Sequence, residues 1–158
     1  EAMSTEGHGT TIRLLLPVDP TRPAIVTPIA TAVIPPFAGA ILVVDDETAV
    51  RDVTKRLLAR QGFDVLEAAS GADALRVLSE SRSRVRCVLL DHSMPGMDGS
   101  ETFRHMREMA PEVRVVMTSG YSERDLRGKF DDTGLAGYLQ KPFDLASLLR
   151  VARAACSA

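Results

Sequence analysis

Four places in this sequence set chemically capable side chains at the end of an apolar run. Ile41–Val44 ends in Asp45 and Asp46, Val85–Leu90 ends in Asp91, Val113–Met117 runs into Thr118 and Ser119, and Gly137–Gln140 ends in Lys141 and Pro142. A carboxylate at the end of a buried run is costly to desolvate unless something compensates it. Three carboxylates gathered in one place repel one another and raise at least one pKa. A hard divalent cation removes that conflict. Mg²⁺ takes oxygen ligands, keeps several waters, and suits one or two carboxylates plus a substrate phosphate. Lys141 offers Asp91 a second compensation. The set then amounts to a carboxylate nucleophile facing a place for a phosphoryl group. Phosphoryl transfer asks mainly for positioning and charge stabilisation.

That chemistry requires elements that bring the four places together. Ile41–Val44 reads as a strand. Glu47–Gln61 carries Val50, Val53, Leu57 and Leu58 as a helical stripe, with Gly62 as its C-terminal cap. Asp64–Ala68 is a second strand. Ser70 caps a helix with Ala74, Leu75 and Leu78 inward. Val85–Leu90 is the third strand, and Asp98 with Glu101 has the capping-box spacing of a helix running to about Met109. Val113–Thr118 is the fourth strand, Ser122–Phe130 a short helix and Gly137–Gln140 the fifth strand. Asp144 caps a last helix with Leu145, Leu148, Leu149 and Ala152 on one face. The pattern is (βα)₅. Its first, third and fourth strands are continuous apolar runs, as expected for a parallel sheet covered on both faces. Right-handed crossovers leave few topologies, and the flavodoxin-like, doubly wound order 2-1-3-4-5 is the expected one. In such a sheet the ligand site lies beyond the carboxyl ends of the strands, where all four places fall.

The 158 residues allow one domain and an appendage, and the net charge of −2 gives no basic field for nucleic acid or an anionic membrane. Six of the nine prolines fall between residues 17 and 36, which marks residues 17–38 as an extended linker. No charge occurs from Pro23 to Val44, but Pro28, Pro35 and Pro36 rule out a membrane helix there. Cys87 and Cys156 are too few for a disulfide framework and are expected to be reduced thiols of a cytoplasmic protein. The sequence begins with Glu1 and lacks a signal-peptide pattern, so it is expected to be a processed product or a piece of a longer chain.

ILVVDDE, LLDHSMPGMDG, VVMTSGYS and GYLQKPFD, in that order, resemble the receiver domain of two-component response regulators over residues 39–156. The resemblance implies roles position by position. Asp91 is the phosphoacceptor. Asp46 binds Mg²⁺ directly, Asp45 does so through water, and the Ser93 backbone carbonyl is a further ligand. Lys141 pairs with Asp91 and then with the phosphoryl oxygens. Ser119 is the hydroxyl that swings to the phosphoryl group, Gly120 offers a backbone N–H, and Tyr138 is the aromatic switch. Lys141–Pro142 is expected to be cis. Implied partners are a histidine-kinase dimerisation and phosphotransfer domain, in cis or in trans, and a histidine phosphotransfer protein. The implied consequence of phosphorylation is a shift in the loops after strands 3 and 4 and in the face formed by the Ser122–Phe130 helix, the fifth strand and the last helix.

Residues 1–16, with STEGHGTTIRLLLP, resemble the last glycine box and final strand of a histidine-kinase ATP-binding domain. A kinase-domain end, a linker and a receiver, in that order, is the layout of a hybrid histidine kinase. Such a parent is a phosphotransferase that uses ATP and can be membrane-attached. Gly7 and Gly9 would contact nucleotide only in that parent, and this segment is expected to lack kinase activity while retaining self-phosphatase capacity.

Other readings compete at particular positions. Taken singly, Asp45 and Asp46 make a solvated helix cap, Lys141 a surface lysine and Tyr138 a half-buried strand aromatic. Thr118 and Ser119 compete for one role; the spacing to Lys141 and the following glycine favour Ser119, with Thr118 on the opposite face. His92 and His105 have no ligand partner at metal spacing and are expected to be solvated. Met94, Met97, Met106, Met109 and Met117 fill core gaps or loop contacts. At the level of function, a Mg²⁺-dependent phosphohydrolase working through an aspartyl phosphate wants a second acid two residues after the nucleophile, where Ser93 stands. A docking module with no phosphoryl chemistry would not need the full set of acids, hydroxyl and lysine. No helix-turn-helix or basic extension is present, so direct DNA contact is not expected.

Overall fold

The computed structural model describes residues 2–5, 9–13, 39–121 and 134–156. The proline-rich segment, Gly7 and the expected Ser122–Phe130 helix lie outside the described residues. The chain divides into two units, Glu1–Ala32 and Val33–Ala158. In the first, β1 (Ala2–Thr5) and β2 (Gly9–Ile12) pair antiparallel, with Thr5 opposite Gly9, whose φ is 89°. One strand was expected there, and two are present.

The second unit runs β3 (Ala40–Val44), α1 (Thr48–Ala59), β4 (Asp64–Ala68), α2 (Gly71–Ser81), β5 (Val85–Asp91), α3 (Gly99–Met109), β6 (Arg114–Ser119), β7 (Gly137–Gln140) and α4 (Leu145–Cys156). Its five strands form one parallel sheet in the order β4-β3-β5-β6-β7. Counted within this unit, that is the expected 2-1-3-4-5. Every residue of β3 is buried, and so are all of β5 and β6 apart from one exposed arginine in each. The edge strands β4 and β7 are only partly covered.

Side chains alternate across a strand, so each central strand feeds two cores. Leu42, Val44, Val88, Leu90, Val115 and Met117 face one core, which α2 and α3 close with Leu78, Phe103 and Met106. Ile41, Val43, Cys87, Leu89 and Val116 face the other, which α1 and α4 close with Leu58, Leu148 and Ala152. Truncating a leucine in either core, such as Leu90→Ala, costs about 2–5 kcal/mol.

The helix starts follow from local chemistry. Ser70 Oγ accepts from the Asp73 amide, Asp98 Oδ1 from the Glu101 amide and Asp144 Oδ1 from the Ser147 amide. Gly62 ends α1 at φ 83°, a conformation open to glycine. One expectation fails on α1. Val53 is 54% exposed, and Thr54 is buried in its place. Thr54 lies one full turn before the buried Leu58, whereas Val53 is rotated about 100° from Thr54. Hydrophobicity alone misassigned the stripe.

Candidate functional site

The same alternation builds the site. Ile41, Val43 and Asp45 follow one parity; Cys87, Leu89 and Asp91 follow it on β5; Leu139 and Lys141 follow it on β7. Each polar residue sits one step beyond the last apolar residue of its parity, on the side of the sheet covered by α1 and α4. Three strands therefore deliver Asp45, Asp91 and Lys141 to one spot.

Asp45 and Asp91 are both buried. Lys141 Nζ donates to Asp45 Oδ2 at 2.6 Å and lies 3.0 Å from Asp91 Oδ1. Asp46 is exposed at the rim. One carboxylate oxygen from each of Asp45, Asp46 and Asp91 falls within 4.8 Å of the others. This donor set, all oxygen and all anionic, fits a hard divalent cation. Burial pushes the Asp91 carboxyl above the usual range. Hydrogen bonding and charge from Lys141 oppose that shift, while Asp45 and Asp46 reinforce it. For Lys141, burial acts to lower the pKa, and the hydrogen bonds to Asp45 and Asp91 outweigh it, so the ammonium is held charged.

The backbone fixes each member. The Lys141 amide donates to the Ser119 carbonyl at 2.7 Å, extending the β6–β7 pairing by one residue, and Lys141–Pro142 is cis as expected. The His92 amide donates to the Thr118 carbonyl, and the Gly99 amide to the His92 carbonyl, each at 2.9 Å. The turn after Asp91 is thereby pinned between β6 and the start of α3. Gly99 is required there. A Cβ at this position would stand 2.4 Å from the Asp91 carbonyl oxygen and 2.6 Å from the His92 Cα. Arg51, on α1, donates through its guanidinium to the Asp45 carbonyl at 2.7 Å, while Asp45 Oδ1 accepts from the Glu47 amide at 2.9 Å. Arg51 was not singled out by its sequence context, and a capping arginine one helical turn into α1 has no distinctive motif.

The remaining expected residues separate by face. Alternation puts Met117 and Ser119 on the α2–α3 side, shared with Tyr138, and Val116 and Thr118 on the side of the carboxylates. The two hydroxyls do lie on opposite faces. Ser119 is buried, and its Oγ accepts from the Tyr121 amide at 3.0 Å. Tyr138 is half-buried against the α2–α3 core. Gly120 and Ser93 are exposed. His92 and His105 are half-buried rather than fully solvated; His105 Nδ1 lies 3.7 Å from Glu108 Oε2. Met94, Met106 and Met117 are core residues, and Met97 covers Gly71.

Residues 41–153 match the family model described as "Response regulator receiver domain". The chain belongs to this family of phosphoacceptor domains of two-component systems. Among curated proteins, the receiver is 37% identical over 111 residues to the sensor kinase CckA of Brucella abortus, covering 70% of this chain and 12% of that kinase. It is 32% identical over 105 residues to the sporulation initiation phosphotransferase F of Bacillus subtilis, covering 66% of this chain and 83% of that protein. The receiver therefore spans a small part of one relative and most of the other. Among solved structures, a receiver domain protein from Clostridium thermocellum superposes with a TM-score of 0.70 at 28% identity, over 75% of this chain and 94% of that one. The response regulator TrrA of Thermotoga maritima, solved in complex with Mg²⁺ and BeF, gives 0.67 at 26% identity, over 74% and 98%. No helix among the described residues is long and apolar enough to cross a membrane.

Proposed function

We propose that Asp91 is the phosphoacceptor of this receiver, and that it takes a phosphoryl group from a phosphohistidine. The observation that carries this is the placement of a buried Asp91 between Lys141 and the Asp45–Asp46 carboxylates. Asp45, Asp46 and Asp91 would hold Mg²⁺, with the Ser93 carbonyl as a further ligand. When bound, that ion neutralises the acids and the phosphoryl oxygens. The chain's own groups do the rest. An Asp91 carboxylate oxygen attacks phosphorus as the bond to the donor imidazole breaks. Lys141, held charged by Asp45, stays within reach of the developing phosphoryl oxygens. Ser119 supplies a hydroxyl, and Gly120 an N–H, from the end of β6. Movement of Ser119 is read by Tyr138, which shares its face of the sheet, and biases the β7–α4 side of the domain. Water attack on the aspartyl phosphate gives the domain its self-phosphatase capacity.

The partners in this reading are a histidine-kinase phosphotransfer domain and a histidine phosphotransfer protein in the cytoplasm. The parent is a hybrid histidine kinase that uses ATP. Similarity to a sensor kinase supports this, as does the antiparallel pairing of residues 2–5 with residues 9–12 earlier in the sequence than the receiver. Residues 1–16 are then the end of an ATP-binding domain, residues 17–38 a linker and residues 39–156 the receiver.

The test is intact mass after incubation with acetyl phosphate, with and without Mg²⁺, for the wild type and Asp91→Asn. The expected result is a Mg²⁺-dependent, base-labile gain of one phosphoryl group that vanishes in Asp91→Asn. No gain in a folded wild type, with a histidine-kinase core also failing as donor, would leave a docking module as the reading.

A further inference from the structure

Arg51 stands where a helix disfavours a cation. It is the fourth residue of α1, and its amide donates to the Glu47 carbonyl at 3.0 Å. The positive end of the helix dipole opposes a guanidinium there, and the first turn of α1 holds no acid to offset it. The side chain nevertheless turns away from solvent, with only 14% of it exposed. Each of its three nitrogens faces a partner. Nη1 donates to the Asp45 carbonyl at 2.7 Å and lies 3.5 Å from the Asp46 carbonyl. Nη2 donates to Thr48 Oγ1 at 3.2 Å, and Nε lies 4.0 Å from Glu67 Oε1.

Glu67 gives this fork a fixed base. It stands opposite Val43 in the β3–β4 register, so it shares the face of Val43 and Asp45 that α1 covers. Its other oxygen, Oε2, accepts from Lys55, one turn further along α1. The Asp45 amide donates to the Ala68 carbonyl at 3.2 Å, which ties the start of the same turn to β4. The Asp45 side chain is anchored by the Glu47 amide and by Lys141. Asp46 is exposed at the rim, and the two carbonyls near Arg51 belong to the peptide units on either side of its Cα.

Given the reading of Asp45, Asp46 and Asp91 as cation ligands, on which this rests, we propose that Arg51 is a positioning residue for that cation: it holds the two peptide units flanking Asp46 and so aims the Asp46 carboxylate toward those of Asp45 and Asp91. A peptide unit is planar, so fixing the unit on each side of a Cα fixes the backbone angles between them and the direction of the side chain. A guanidinium does this with a rigid fork of donors, whereas a lysine offers a point charge on a flexible stem. Positioning and charge have opposite signs here. As a bare positive charge beside three carboxylates, Arg51 would repel a cation, and its removal would tighten binding. As a clamp, its removal frees Asp46 and loosens binding.

The experiment titrates the full chain with Mg²⁺ by calorimetry, for the wild type, Arg51→Ala, Arg51→Lys and Lys55→Ala, at a temperature well below the melting midpoint of each. Lost stability alone then leaves the dissociation constant unmoved. Arg51→Ala should weaken Mg²⁺ binding at least tenfold, the low end for loss of a group that orients a metal ligand. Arg51→Lys keeps the charge without the fork and should fall between Arg51→Ala and the wild type. Lys55→Ala removes the same unit of charge from α1 but touches neither carbonyl, and should bind Mg²⁺ as the wild type does or more tightly. Equal or tighter binding by Arg51→Ala would overturn the proposal; where that variant does not fold, Arg51→Lys binding as tightly as the wild type does so. Equal weakening by Lys55→Ala and Arg51→Ala would also overturn it. A folded wild type that binds no Mg²⁺ at millimolar concentration would instead remove the cation reading itself, and the role of Arg51 with it.

Discussion

Lys141 donates to Asp45 at 2.6 Å, closer than the 3.0 Å that separates its Nζ from Asp91. The lysine therefore serves two buried carboxylates, and its nearer partner is the first acid of the Asp45–Asp46 pair rather than Asp91, the proposed phosphoacceptor. This arrangement keeps one positive charge in place when the charge on Asp91 changes.

Lys141→Ala should consequently do more than slow phosphorylation. It leaves Asp45 and Asp91 buried without their counter-charge, and stranding a buried charge costs about 3–5 kcal/mol. The expected result is a lower chemical-denaturation midpoint at neutral pH, with part of the loss recovered by millimolar Mg²⁺. Phosphoryl uptake from acetyl phosphate should fall at least tenfold even where the variant is folded. A midpoint equal to that of the wild type would show that Lys141 is not compensating the acids.

Asp91→Asn should move stability the other way. The Asp91 pKa is raised in the folded protein, chiefly by burial. A carboxyl whose folded pKa exceeds its unfolded value favours the fold at low pH, and that advantage is lost as pH rises through the folded pKa. At neutral pH the ionised Asp91 is a net cost, so removing its charge should raise the midpoint by roughly 1 kcal/mol, the scale of a typical single substitution. The difference between variant and wild type should shrink below the usual carboxylate range and shrink again on adding Mg²⁺. Thermal melts across pH 4–8, with and without Mg²⁺, check both trends; a variant less stable than wild type at pH 7 without metal would refute the assignment of strain to Asp91.

Most of the sheet was legible because continuous apolar runs, the turn residues between them and strand-end polarity are sequence properties. β4 and β7 matched at both ends, and the caps at Ser70, Asp98 and Asp144 formed as their spacing implies. The convergence of Asp45, Asp91 and Lys141 was legible too, since each stands at or just past the carboxyl end of its strand. What stayed hidden depended on three-dimensional neighbours. Nothing near Val53 signals that Thr54 takes the inner position. Nothing in DDETAVR marks Arg51 as the group holding the Asp45 carbonyl.

Gly99 offers a test of how tightly the turn after Asp91 is held. Gly99→Ala would drive a methyl into the Asp91 carbonyl oxygen and the His92 Cα, and neither is a flexible side-chain end. Overpacking of this kind costs about 1–3 kcal/mol. The turn should shift, so phosphoryl uptake should fall along with stability. Gly96 gives the contrast: a Cβ there meets nothing within 4 Å, though its φ of 77° makes any side chain strained. Gly96→Asn, which tolerates that region, should leave uptake within about twofold of the wild type. Equal uptake by Gly99→Ala and the wild type would mean that the turn has room to spare.

The last prediction separates the two hydroxyls at the end of β6. Alternation sets Thr118 on the carboxylate side of the sheet and Ser119 on the side of Tyr138, whereas the proposed role belongs to Ser119. If Ser119 carries the switch, Ser119→Ala should accept phosphoryl more slowly, by roughly a hundredfold, the low end for loss of a single hydrogen-bonding group in such chemistry. It should also lose the phosphorylation-dependent change in Tyr138 fluorescence, read in a Tyr121→Phe background. Thr118→Val keeps the shape and removes only the hydroxyl, so both responses should persist. The opposite pattern, with Thr118→Val silent and Ser119→Ala responsive, would move the role to the residue on the carboxylate face. Because the variants differ only in which face loses a hydroxyl, the comparison reads directly whether the signal from Asp91 crosses the sheet to Tyr138 through Ser119.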